Sequence, residues 1–385
     1  MGGVKLASLL LFKGSSSVSG LSACIFVLVF TMGCGSGTSV PVVPAPPVPN
    51  TNWVLVGNTG MTGNLVILSD GNGTLYASSN DGSGFARSTD HGVTWAPLNN
   101  GANSGCHWGM GLNDIGEVVS GSLNNSSVPA CSTSDPKEFL RLVGNRNTWT
   151  SFRAQLNGFP NFLFPVHFVT AKGNTIASGS GILGYSTDHG TTWHSSPTGP
   201  GTTCGEKLGL AVSPDGTASV VPDTVNIACA PYYSTDGGVN WTVYPQGLPS
   251  IMPRAGDATS NLLPNGSLFY SWSTVSVANG ECYGPQPPPN GTWSTCNAGL
   301  VTGQATMGPG VITKINKNVV VSSGSCGPFI SSDSGVHWTS IAAGLPTPGT
   351  GNCPYSNLWN LTTDPSGFLY LIDNAGPVYK STTPQ

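Results

Sequence analysis

Ser186-Thr187-Asp188-His189-Gly190-Thr191-Thr192-Trp193 is the stretch whose reading decides the fold, because the chain repeats it. The same Ser-x-Asp-x-Gly-x-x-Trp spacing recurs at Ser88–Trp95, Ser234–Trp241 and Ser331–Trp338. Each residue type has a turn-making reason to be there. An Asp carboxylate accepts hydrogen bonds from backbone N–H groups of its own turn, and a Ser hydroxyl bonds locally. A Gly supplies the positive φ of a tight reversal. A Trp ring offers a large surface to pack between neighbouring sheets. On this reading Asp90, Asp188, Asp236 and Asp333 are structural, as are Gly92, Gly190, Gly238 and Gly335 and the rings of Trp95, Trp193, Trp241 and Trp338.

Working outward, the Trp register extends beyond the four copies. Trp149 closes Gly144-Asn145-Arg146-Asn147-Thr148-Trp149 and Trp293 closes Asn290-Gly291-Thr292-Trp293, both degenerate copies. With Trp53 the series is 53, 95, 149, 193, 241, 293 and 338, with gaps of 42, 54, 44, 48, 52 and 45 residues. That is the period of a repeated four-stranded β-sheet. A trailer follows several copies, as in Gly158-Phe159-Pro160, Gly247-Leu248-Pro249, Gly299-Leu300 and Gly344-Leu345-Pro346. Early turns at Asp70–Gly73, Pro214–Gly216, Pro264–Gly266 and Asp364–Gly367 separate the first two strands of a repeat. The segment Gly376–Thr382 resembles Gly327–Ser332 just before a copy, then stops where a last strand is due. Asn52-Trp53-Val54-Leu55 supplies that strand from the other end, so the two ends close one ring of seven repeats and leave no open sheet edge.

Composition agrees with an all-β chain: of 385 residues, 53 are Gly and 31 Pro, and 8% are charged. A formal net charge of −4 carries no basic footprint, which excludes nucleic acid as the expected partner. At the N-terminus Lys5 and Lys13 precede an apolar run from Leu21 to Met32, too short to span a bilayer comfortably and suited to a signal peptide. Thr31-Met32-Gly33-Cys34 resembles a bacterial lipobox, in which the Cys is lipidated and begins the mature chain. Leu21-Ser22-Ala23-Cys24 fits the pattern letter by letter but would leave an apolar stretch on the mature side. The expected division is residues 1–33 as a lipoprotein-type signal peptide, 34–50 as a Pro-rich linker and 51–385 as the folded domain. The expected location is the bacterial cell envelope, lipid-anchored at Cys34, with simple secretion as the alternative. Val40–Pro49 is a semi-rigid spacer. Beyond Cys24 and Cys34 there remain Cys106, Cys131, Cys204, Cys229, Cys282, Cys296, Cys326 and Cys353. An even number in an exported chain points to disulfides, and no CxxC spacing supports a metal. Sequential pairing is the simplest scheme, with Cys296–Cys326 a workable alternative. Each bridge would brace a long loop and contribute ~2–4 kcal/mol.

The four repeats resemble the Asp box (BNR repeat) of the sialidase-like propellers. The resemblance implies a seven-bladed β-propeller of four-stranded antiparallel blades, closed by the N-terminal strand in the last blade. It also implies that the boxes lie on one face and any ligand site on the other, among the loops that enter each inner strand and those between second and third strands. Those loops hold His107 and Trp108, His167, Glu206 and Lys207, Arg254 and Asp257, Glu281 and Tyr283, and Tyr355 and Trp359. His107, Trp108, Lys207, Arg254, Tyr283, Tyr355 and Trp359 are the ligand-binding candidates, with Trp108 and Trp359 as sugar-stacking platforms or as plugs of the channel.

Sialidases hold a carboxylate with three arginines, whose planar fork Lys cannot replace. Here the arginines are Arg87, Arg141, Arg146, Arg153 and Arg254. Arg87 abuts a box, Arg141, Arg146 and Arg153 cluster at one degenerate box, and only Arg254 is well placed. Nor is there the second propeller of the xyloglucanases or the Arg-rich patch of the photosystem assembly factor with this fold. Two readings follow. One is a non-catalytic monomer that binds glycan or protein at the cell surface, without cofactor. The other is a glycoside hydrolase with carboxylates drawn from Glu206, Asp257 and Glu281, which must stand about 5–10 Å apart.

Overall fold

The computed structural model describes residues 51–102, 107–122, 138–144, 147–153, 165–179, 182–199, 208–222, 230–244, 256–263, 265–274, 277–284, 286–296, 298–300, 311–315, 318–322, 327–347 and 358–385. All regular structure among them is strand, arranged as seven four-stranded antiparallel sheets. Numbered by chain order, sheets I to VII begin with the strands Leu65–Ser69, His107–Leu112, Pro165–Ala171, Leu208–Val212, Gly256–Leu262, Val311–Ile315 and Leu358–Thr363. In sheets I to VI the four strands are consecutive. In sheet VII the fourth is Trp53–Asn58, paired with Pro377–Ser381 so that Trp53 faces Ser381. The first strand of each sheet lies against that of the next, and the first strand of sheet VII lies against that of sheet I.

The core sits in the seams between sheets. Leu65, Ile67, Leu75 and Ala77 of sheet I pack on Tyr370, Ile372 and Val378 of sheet VII. Tyr76 and Phe85, on the other face of sheet I, pack on Val118, Leu140 and Trp149 of sheet II. This is why second strands such as Leu75–Ser79 and Leu369–Asp373 are buried along their whole length rather than alternately. Polar groups close the VII–I seam. The N–H groups of Ile67 and Ser69 donate to Asn360 Oδ1 (3.1 Å) and Thr362 Oγ1 (3.0 Å), so this buried strand edge has its partners.

The four boxes share one geometry. The Ser hydroxyl accepts from the box Gly N–H, at 2.8 Å for Gly92, 2.7 Å for Gly190, 2.9 Å for Gly238 and 2.7 Å for Gly335. It donates in turn to the Asp carboxylate. That carboxylate also accepts the N–H four residues on, from Thr94, Thr192, Asn240 and His337, at 2.7–3.0 Å. Thr94 adds its hydroxyl, and with Ser88 these bonds pull the Asp90 carboxyl down to about 2. At Asp188 and Asp236 burial pushes the other way, but the bonds from Thr192 and Asn240 prevail and hold both carboxyls below the usual range. The box carboxylates are therefore turn-holding groups, as their pattern implied.

The Trp residues follow two habits. In three boxes the indole donates to its own Gly carbonyl: Trp95 to Gly92, Trp193 to Gly190 and Trp241 to Gly238, each at 3.0 Å. Trp53, Trp149 and Trp338 instead donate across the seam, to Ile341 (2.6 Å), Leu98 (2.7 Å) and Cys296 (2.8 Å). Trp193 also stacks on Phe139 of the preceding sheet with ring centroids 4.5 Å apart. The trailers have a use of their own. Gly101 stands six residues after Trp95, as Gly299 and Gly344 do after Trp293 and Trp338, and a Cβ on Gly101, Gly299 or Gly344 would fall 2.1, 2.2 or 2.5 Å from the carbonyl oxygen of Trp149, Trp338 or Trp53, so only Gly lets this segment lie against the next sheet.

Cys282 and Cys296 form a disulfide, in agreement with sequential pairing and against Cys296–Cys326. It does not brace a surface loop as the sequence implied. Glu281, Cys282 and Tyr283 belong to the third strand of sheet V, Val277–Gly284, and both sulfurs' residues are buried under Gly335 of the sheet VI box. The other six cysteines of the domain lie outside the described residues.

Candidate functional site

Strand order gives every sheet two ends. The first strand runs from one end to a tight turn at the other, the second returns, and the third descends to the box. First turns and boxes thus share one end, and the opposite end carries the strand entrances and the connections from second to third strands. Contacts between sheets agree. His91 of box I reaches Asp364 in the first turn of sheet VII (3.7 Å), and His189 of box III reaches Asp114 in the first turn of sheet II (2.6 Å).

The entrance end has a feature that the sequence did not announce. Four first strands lose register just after they begin: between His107 and Met110, Pro165 and His167, Gly256 and Thr259, and Leu358 and Asn360. Each interruption is a β-bulge, a device that re-aims a residue at the edge of a site. Three candidates, Trp108, Asp257 and Trp359, occupy these bulges. They lie within the strands, not in loops ahead of them. His167 follows the bulge of sheet III and is half-buried.

Two ligand candidates are corrected. His107 is fully buried and stacks on Phe85 with centroids 4.5 Å apart, so its ring fills the I–II seam. Tyr283 is also in the core, beside Tyr244 and Trp293, and burial pushes its phenol up. An apolar ring at a seam and one in a loop look alike in sequence. Glu206, Lys207, Arg254 and Tyr355 lie outside the described residues. Asp257 and Glu281 are not adjacent: Glu281 faces Tyr270, which faces Ser260, three positions further along the first strand than Asp257 and with one strand between.

The sequence reading missed Asp373. It ends the second strand of sheet VII, directly opposite Leu358 and beside the Trp359 bulge. Burial raises its carboxyl, although Oδ1 accepts the Ala375 N–H at 2.8 Å. Its signal was there, an Asp closing an apolar strand in Leu369-Tyr370-Leu371-Ile372-Asp373. Asp81, on the matching connection of sheet I, is different. Burial raises its carboxyl, but bonds from Ser79, Thr62 and Ser83 prevail and hold it down. Among the described residues no cluster of His, Cys, Asp and Glu could hold a metal ion.

A family model described as the BNR/Asp-box repeat matches residues 232–243, which are the third strand, box and fourth strand of sheet IV. The match covers one of the four boxes that share this geometry. No curated protein sequence matches it. Among solved structures the chain is similar to streptogramin B lyase, with a TM-score of 0.60 and 11% identity over 86% of this chain and 98% of that one. It is similar to YCF48 from Cyanidioschyzon merolae, with 0.56 and 13% over 86% and 98%. It is also similar to a GH74 enzyme of Niastella koreensis, with 0.60 and 18% over 86% of this chain and 53% of that one. At such identities the likeness is one of fold. A fold alone does not carry a function, so function must be argued from the site.

Proposed function

We propose that the seven sheets are the blades of a β-propeller closed by the pairing of Trp53–Asn58 with Pro377–Ser381. We further propose that the chain is a non-catalytic binding module for extracellular glycan, held at the cell envelope through a lipid on Cys34. The observation that carries the binding reading is the set of four bulges at the strand entrances, three of which hold Trp108, Asp257 and Trp359. Aromatic residues set at bulged strand ends are suited to stack on sugar faces, and a carboxylate at the same end to accept sugar hydroxyls. The test is a time-resolved glycan array with the oxidised full-length chain, following both bound protein and remaining glycan. Stable binding, weakened at least about tenfold by Trp108→Ala or Trp359→Ala, is the expected result; each tenfold is 1.4 kcal/mol. Silence on both channels would move the ligand to a protein.

One observation favours glycoside hydrolysis as a second reading. A carboxyl raised by burial, as at Asp373, is the property a general acid needs. Progressive loss of particular glycans, abolished by Asp373→Asn, would replace the binding reading.

A further inference from the structure

The polarity of the sheets bears on where a ligand must come from. The chain enters Trp53–Asn58, the fourth strand of sheet VII, at the box end. Trp53 faces Ser381, the last residue of a third strand and the counterpart of Ser88, Ser186, Ser234 and Ser331, which open the boxes. Asn52 accepts the Thr382 N–H at 2.7 Å, and the nearby Gln385 N–H donates to Gly367 in the first turn of sheet VII at 2.9 Å. Thr51 is buried there. Everything N-terminal to residue 51, including Val40–Pro49 and Cys34, therefore joins the domain at the end opposite the bulges.

We infer that the tethered chain stands with its Asp-box end toward its own membrane and its entrance end toward the aqueous side. The Trp108–Trp359 end then takes a hydrated ligand from outside and not a lipid of the bilayer that holds it. This rests on the anchored reading above.

Two exposed positions report the orientation: Asn72 in the first turn of sheet I, at the box end, and Ala375 between the second and third strands of sheet VII, at the entrance end. A ketone-bearing residue at either site takes a donor fluorophore without adding a cysteine. The full-length processed chain is then reconstituted on phosphatidylethanolamine–phosphatidylglycerol vesicles containing an acceptor-labelled lipid. A strand of five or six residues makes the ends differ in height by about 15–20 Å, so energy transfer from Asn72 is expected to exceed that from Ala375 by roughly twofold. Flotation with and without Cys34→Ser tests the anchor separately. Protein that floats but transfers equally from both sites, or better from Ala375, overturns the orientation alone. Wild-type protein that does not float, or floats equally well as Cys34→Ser, overturns the anchored reading and the orientation with it.

Discussion

The residue between Asp and Gly in each box sits in the left-handed region: His91 at φ 60°, His189 at 62°, Gly237 at 73° and Ser334 at 59°. For a residue with a Cβ that conformation costs about 1–2 kcal/mol. Two histidines accept the cost where the imidazole meets a carboxylate of the preceding sheet, Asp364 or Asp114. At Gly237 a Cβ would lie 2.5 Å from Asn174 Nδ2, so Gly is required. The box thus closes its own hairpin and also indexes one sheet on the next. Its Asp is the keystone, and the pH dependence follows with a definite sign. The carboxyls of Asp90, Asp188, Asp236 and Asp333 are depressed in the folded chain, Asp90 to about 2. Their contribution is complete above the unfolded value near 3.9 and is lost as pH falls through the folded value. Thermal melts are expected to show Tm falling between about pH 4 and about pH 2, flattening on the acid side. Asp188→Asn should lower Tm at pH 7 and also shallow this acid slope. A variant with an unchanged slope would remove the carboxylate from that account. Removing two or three hydrogen-bonded partners costs about 1–3 kcal/mol.

At the scale of the element, intact boxes go with short fourth strands. Those after boxes I, III, IV and VI have two residues each, while those of sheets II, V and VII, which lack the box, run to six, four and six. A box fixes the hairpin from within. Without it, ladder pairing must do so, and in sheet V a disulfide helps. Cys282 and Cys296 close a sequence separation of 14 residues beneath Gly335, and Trp338 donates to the Cys296 carbonyl. Replacing both with Ser in Cys282→Ser/Cys296→Ser should cost about 3 kcal/mol by loop entropy. The loss should appear first as hydrogen-exchange deprotection of residues 328–341, across the V–VI seam. Deprotection confined to sheet V would leave the disulfide local. The repeats, turns and trailers were legible because each is a backbone demand met by a particular residue type. Bulges were not, since an extra residue in a ladder changes pairing without changing composition. For the same reason Trp108, Asp257 and Trp359 were found as residues but misplaced by a position or two, and His107 and Tyr283, aromatic like their neighbours, could not be sorted into seam and loop.

For the whole molecule, the sequence placed its two ends in one sheet, and the pairing of Trp53 with Ser381 is where that can be tested. Trp53 is buried at 2% exposure. Its N–H and indole bond Ala343 and Ile341 of sheet VI, at 2.9 and 2.6 Å. Its strand covers the edge of Pro377–Ser381, which would otherwise present unpaired backbone groups to any other chain. If the seven sheets form one closed ring, this strand is worth more than its local contacts, since its loss opens the seam and exposes an edge. Trp53→Ala is expected to cost about 3–5 kcal/mol from cavity and lost packing alone. Deleting residues 51–58 should go further and yield soluble aggregates at low micromolar concentration, measured by light scattering. A synthetic peptide of residues 51–58 supplied during refolding should then restore a monomer, because main-chain pairing with an exposed edge is enough to seat an extended strand. A deletion variant that stays monomeric and melts with wild-type cooperativity would show that sheet VII is complete with three strands. Closure would then rest only on the contact between the first strands of sheets VII and I.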